Sequence, residues 1–282
     1  MNDYILTLSC PDRIGIVHNV TGWLLNLHGN IIDAQQFGDL ETGRFFLRVH
    51  FHLPEPMAVA DLQASFESLA HRFDMHVQIY DAQQRQRLLI LVSRQGHCLN
   101  DLLFRADSGQ LPVDIAGIAS NHNDYASLAA GYGIPYHYLP VTPDTRPEQE
   151  QQILDLVKDN AVDLVVLARY MQILSPQLCD ALAGRAINIH HSFLPSFKGA
   201  RPYHQAHARG VKIIGATAHY VTSDLDEGPI IEQDVERVHH GLSAKALTRV
   251  GSDIESLVLA RAVRSHVEHR ILLNGQRTVV FR

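Results

Sequence analysis

The sequence is poor in the features that would make it a disulfide-stapled, membrane-spanning or nucleic-acid-binding protein. Its 282 residues hold three cysteines, Cys10, Cys98 and Cys179. They are far apart, odd in number and form no CxxC pair, which argues against a disulfide framework and a thiolate metal centre and fits a reducing, cytoplasmic compartment. No stretch approaches the roughly 20 apolar residues of a membrane helix, and the N-terminal MNDYILTLSCPDR sets Asp3 before a very short apolar run, unlike a secretory signal. Lys and Arg number 24 against 30 Asp and Glu, a net charge of -6 without a long run of either sign. That balance offers no footprint for a nucleic-acid backbone or an anionic membrane, so the expected partner is a small molecule or another protein.

Several catalytic signatures are missing as well. Ser192 and Ser196 stand outside any GxSxG elbow, and Cys98 and Cys179 fall in helical patterns where a small apolar role is ordinary. His190, His191, His204 and His207 invite a metal reading, but no HExxH and no carboxylate at ligand spacing completes a set. The expectation is therefore water as nucleophile, with no metal and no cofactor.

What is present is 46% hydrophobic content, enough for two cores. Residues 4–9 read as a strand, CPDRIG as a turn with Asp12 placed to cap a helix, and Ile16, Val20, Trp23, Leu24 and Leu27 recur at helical spacing. IIDAQQF, RFFLRVHFHL, a helix over 59–73 and MHVQIYD complete the order strand, helix, strand, strand, helix, strand, which is the ferredoxin-like βαββαβ plan. We divide the chain into a domain over 1–82, a polar linker over 83–87 (QRQR lies in it) and a larger domain over 88–282. In the larger domain LLILV, VDIAGIAS, DLVVLAR and AINIH alternate with helical patterns, predicting an α/β fold with a doubly wound, mostly parallel sheet whose strand C-termini carry the chemistry. A long helix over 243–267 and a hairpin at Asn274-Gly275 close the chain.

The segment INIHHSFLPSFKGARPYHQA runs an apolar strand into polar side chains. Alternate strand residues share a face, so Asn188 and His190 emerge together while Ile187 and Ile189 pack behind. An amide donor beside an imidazolium suits attack on a carbonyl, because each donor aimed at a developing oxyanion contributes about 3 kcal/mol. A carboxylate to orient the imidazole is offered by YVTSDLDEGPII, where Asp224, Asp226 and Glu227 share one turn and spacing does not choose among them.

The stretch from INIHHSFLPSFKGARPYHQA through GATAHYVTSDLDEGPIIEQDV resembles the core of the folate-dependent formyltransferases, and CPDRIGIV and TGRFFLRV resemble the N-terminal ACT domain that the deformylase branch of that family carries. The resemblance spans nearly the whole chain. It implies hydrolysis of 10-formyltetrahydrofolate to formate and tetrahydrofolate, supplying formate for purine biosynthesis and balancing one-carbon pools. It carries the catalytic asparagine, histidine and aspartate onto Asn188, His190 and Asp226. A folate pocket falls on Met171, Ile173 and Leu174 of ARYMQILS and on Thr222, Ser223, Asp224 and Leu225. An amino-acid effector is implied near Asp12, Ile14 and Gly15, with a homo-oligomer, dimer or tetramer, as the assembly. The stretch SRQGHCLND departs from the phosphate-cradling, Gly-rich loop of the family's nucleotide-formylating members, having Gly96 alone. Two rivals keep the same site: formyl transfer to an amine, and an amino-acid sensor that binds folate without turnover.

Overall fold

The computed structural model describes residues 2–194 and 202–282. They form two compact units, one built from Met1–Gln84 with Glu268–Arg282 and the other from Arg85–Val267.

In the first unit the order is β1 (Asp3–Pro11), α1 (Ile16–Asn26), β2 (Asn30–Asp39), β3 (Arg44–His52), α2 (Val59–Phe73) and β4 (His76–Asp81). The strands make an antiparallel sheet in the order β2-β3-β1-β4, the ferredoxin-like arrangement the sequence predicts. Strand alternation explains the core. Tyr4, Leu6, Leu8 and Cys10 of β1 and Phe45, Leu47, Val49 and Phe51 of β3 meet Ile16, Val20 and Leu24 of α1 and Leu62, Phe66 and Phe73 of α2. Trp23 is half-buried, edge-on to Phe66 with ring centroids 4.9 Å apart, and its indole donates to Ser65 Oγ at 3.0 Å.

Asp12 does not cap α1. The N-cap is Gly15 in the left-handed region (φ 94°), no side chain caps the helix, and the Asp12 amide donates to the Gly43 carbonyl at 2.9 Å. A glycine takes that backbone turn without steric cost and so displaces the cap the sequence suggests.

The segment 268–282, grouped by sequence with the larger domain, belongs to the first unit. The intervening β1 and β3 residues face away from the helices and need cover. Buried Arg48 donates to the carbonyls of Glu268 and His269, and Asp39 accepts from Asn274 and Arg277 of the terminal hairpin (Ile271–Asn274 with Arg277–Val280). Buried charge with partners this far along the chain leaves no periodicity to read.

The second unit runs β5 (Gln86–Val92), α3 (His97–Asp107), β6 (Val113–Ser120), α4 (Ala126–Gly131), β7 (Tyr136–Tyr138), α5 (Arg146–Asp159), β8 (Leu164–Leu167), α6 (Pro176–Ala181), β9 (Ala186–His190), α7 (Pro202–Arg209), β10 (Ile213–Tyr220), β11 (Ile230–Arg237) and α8 (Ala244–Val267). The first strand thus begins inside the expected linker, where the Arg87 amide is held by Asp163 at 2.8 Å. Seven strands lie in the order β11-β10-β9-β8-β5-β6-β7, parallel from β9 through β7 and antiparallel at β10 and β11. The chain leaves β5 for β6 and β7 on one side and returns through β8 and β9 on the other. A crevice therefore opens at the strand C-termini around β5 and β8.

Candidate active site

A cavity of about 540 Å³ lies at those strand ends. Its centre is the end of β9. Asn188 and His190 share one strand face and pair across to His219 and Thr217 of β10. His190 is 5% exposed, and its Nδ1 lies 3.3 Å from Asp226 Oδ2. The opposite ring atom, Nε2, is buried with no hydrogen-bond partner among the described residues. A histidine held on one nitrogen with the other unused is set to engage a substrate oxygen or nitrogen.

Of the three turn acids, Asp226 is half-buried on His190, while Asp224 and Glu227 are exposed. Two backbone features place it. Asp226 itself sits in the left-handed region (φ 58°), uncommon for a residue with a side chain. Gly228 lets the turn fold back on β10, since a Cβ there would lie 1.8 Å from the Tyr220 carbonyl oxygen. Burial opposes ionisation of Asp226, but the hydrogen bond from His190 and the attraction of its imidazolium form outweigh it and lower its pKa.

His219, which sequence reasoning missed, orients the amide. Its Nδ1 is 2.9 Å from the Tyr220 carbonyl, an acceptor, so Nδ1 carries the proton. Burial lowers the His219 pKa against the pull of Tyr220 and Asp226, which keeps the ring neutral and leaves Nε2 to accept from Asn188 Nδ2 at 3.2 Å. One amide N–H of Asn188 is thereby used, and the rest of the amide lines the cavity.

The remaining walls contain all seven residues assigned to a folate pocket: Met171, Ile173 and Leu174 after β8, and Thr222, Ser223, Asp224 and Leu225 after β10. Met171, Ile173 and Leu225 are each more than half exposed, so this wall offers open apolar surface. The Met171 amide donates to Ser93 Oγ, and the Ser93 amide to the Arg169 carbonyl, so the segment is pinned to the end of β5. Asp12, Ile14 and Gly15 belong to the other unit and do not line this cavity. Ser196 lies outside the described residues.

The lining also includes Gln95, Arg169, Tyr203 and Glu255, which the sequence did not flag, and His191, which it raised only in a metal reading. Two of them carried a signal: Arg169 ends the apolar run DLVVLAR, and Glu255 falls on the buried stripe of α8 with Leu247, Gly251, Val258 and Ala262. His97, Cys98 and Glu255 bring ligand-type atoms within 4.8 Å of one another. The carboxylate is already engaged by His97, Arg169 and Tyr203, and burial together with Glu255 pushes the Cys98 thiol well up, away from the thiolate a metal requires.

The model of the formyl transferase family matches residues 86–263, inside the second unit. Along almost its full length the chain is 51% identical over 280 residues to the formyltetrahydrofolate deformylase of Corynebacterium sp. (strain P-1), covering 99% of this chain and 98% of that protein. The chain belongs to the formyltetrahydrofolate deformylase family. The crystal structure of the formyltetrahydrofolate deformylase from Burkholderia mallei ATCC 23344 covers 100% of both chains at 53% identity with a TM-score of 0.96. Glycinamide ribonucleotide transformylase 1 from Symbiobacterium toebii shares 30% identity over 70% of this chain and 95% of that chain, TM-score 0.66. The deformylase family thus shares its fold with enzymes named for transfer to a nucleotide amine.

Proposed function

We propose that this protein hydrolyses 10-formyltetrahydrofolate to formate and tetrahydrofolate, the formate serving purine synthesis and one-carbon balance. The observation that carries the reading is the convergence of Asn188, His190 and Asp226 at one strand end, in a chain half identical throughout to deformylases.

In this reading the pteridine rests on Met171, Ile173 and Leu174 and against the turn over 222–225, which presents the formyl carbon to Asn188 and His190. Asp226 holds the His190 ring by Nδ1 and helps place a water. As water adds, Asn188 and protonated His190 donate to the oxyanion. The tetrahedral intermediate collapses with cleavage of the carbon–nitrogen bond, a proton passes to the leaving nitrogen, and formate departs. Water is the nucleophile, and neither metal nor cofactor takes part. Formate release by the purified protein, lost by orders of magnitude in a folded Asp226→Ala variant, supports the scheme. Full activity in that variant refutes the role of Asp226.

The first unit serves, in our reading, as an ACT-type regulatory module. Its helix α1 has no side-chain cap and no acidic residue in its first turn, leaving amides beside Asp12, Ile14 and Gly15 for the carboxylate of a free amino acid. We further propose a cytoplasmic dimer or tetramer. Titrating the amino acids singly against formate release and thermal melting, with light scattering for mass, tests both; no response to any amino acid leaves the unit a role in assembly alone.

A further inference from the structure

The cavity has two chemically different halves, and the polar one takes no part in the hydrolysis set out above. Arg169, 7% exposed, stands at the end of β8 with φ 64°, the left-handed region that residues with a side chain seldom occupy. All three guanidinium nitrogens have acceptors within the protein. Nε and Nη2 donate to Gln95 Oε1 at 2.9 and 2.5 Å, Nη1 donates to His191 Nδ1, and Nε lies 3.4 Å from Glu255 Oε2. Glu255, 1% exposed, also accepts from Tyr203 at 2.6 Å and pairs with His97 at 2.7 Å. Tyr203 reaches it because Gly251, one turn earlier on α8, has no side chain; a Cβ there would lie 2.1 Å from the phenol.

A second obstruction lies over the loop after β5. The Tyr125 ring rests on Gly96, where a Cβ would be 2.4 Å away, and its hydroxyl donates to the Arg94 carbonyl at 2.6 Å. The main chain that a phosphate would need to approach is covered by an aromatic ring.

The cluster abuts the reacting centre, since His191 holds Arg169 on one side and stacks on His190 at 4.8 Å on the other. With the folate on the apolar half and the formyl carbon at Asn188 and His190, any nucleophile must arrive through this polar half. We infer that the Arg169–Gln95–Glu255 cluster, with Tyr125 over the loop after β5, fills the acceptor position and so selects water against amines. This inference rests on the hydrolytic reading. It assigns the choice of nucleophile to side chains that touch neither the formyl group nor the folate. A buried carboxylate repels a phosphorylated acceptor, and the cation that would attract one is neutralised from within.

Transfer differs from hydrolysis by one reactant. The amine nitrogen forms the new bond to the formyl carbon, the bond to the folate nitrogen breaks, and the amine's proton ends on that nitrogen, with no change of oxidation state. The test uses the full chain, 10-formyltetrahydrofolate and glycinamide as the amine, with formate and formylglycinamide both quantified. The wild type is expected to yield formate at every amine concentration. Arg169→Gly, which keeps the backbone conformation and empties the position, is expected to yield formylglycinamide at about tenfold or more above the detection limit, increasing with amine, at little change in KM for the folate. Arg169→Gly with Glu255→Gln removes cation and anion together and serves if the single variant fails to fold. Formate as the sole product of the folded variants, or formylglycinamide from the wild type, overturns the inference. Absence of formate release by the wild type without amine defeats the hydrolytic reading itself.

Discussion

Adding one methyl group at Gly228 should silence the active site without removing any polar side chain. The Cβ of Gly228→Ala would stand 1.8 Å from the Tyr220 carbonyl oxygen and 2.9 Å from its carbon, and real Cβ atoms essentially never approach closer than 3.0 Å. The clash is with backbone inside the sheet, so the turn must retreat by about 1.2 Å. Asp226 lies two residues away in a left-handed conformation, and its contact with His190 is already 3.3 Å. A displacement of a few tenths of an ångström takes that contact beyond hydrogen-bond range, and a misplacement near 1 Å typically costs about 100-fold in rate, or some 2.7 kcal/mol of barrier. Single-turnover formate release beside a melting curve measures this directly. Gly131→Ala is the control, because nothing lies within 4 Å of its added Cβ and its backbone is that of a helix end. Gly228→Ala activity within about threefold of wild type, in a folded protein, would show that the turn does not position Asp226 as argued.

Other consequences can be measured separately. Asn188→Ala and His190→Ala should each lower formate release about 10²- to 10⁴-fold while the folate still binds, checked by kinetics and by folate titration. Burial brings the His266 imidazole down to about 4 from its ordinary 6.5, with the Tyr220 hydroxyl 2.7 Å from Nδ1. The unfolded chain then binds a proton that the folded one refuses, so stability is complete above pH 6.5 and falls as pH drops toward 4, by at most about 3 kcal/mol. Denaturant midpoints across that window should fall steeply in the wild type and less so in His266→Phe. Phe66→Ala removes a fully buried ring packed edge-on to Trp23 and should cost about 3–5 kcal/mol. Because Trp23 is the single tryptophan, its fluorescence reports this loss from the first unit alone.

Much of the architecture could be read from periodicity because the elements obey local rules. In YILTLSC the residues Tyr4, Leu6, Leu8 and Cys10 face the helices as alternation requires, although both faces of that strand are buried, and the run LVVL is buried throughout. Asn188 and His190 were legible as a pair for the same reason, since two residues apart on a strand means one face. Asp226 was not separable from Asp224 and Glu227, because what distinguishes it is a positive φ and a glycine packed on a distant carbonyl. His219 escaped notice because its task depends on pairing between β9 and β10. Arg169 and Glu255 broke the apolar pattern of their own elements, and such breaks are where function is concentrated. Asp12 was misread as a cap because a neighbouring glycine allows the chain to start the helix three residues later.

The return of residues 268–282 to the first unit has a bearing on synthesis. A chain leaving the ribosome presents Arg48 and Asp39 early, yet their partners near 268–277 arrive after the whole second unit has been made. The unit translated first is thus the last to be finished, and at roughly 5–20 residues per second it waits on the order of ten seconds or more with one face of its sheet bare. A fragment ending at Gln84 would keep that face exposed for good, so severing the chain between Gln84 and Arg85 does not yield two complete proteins.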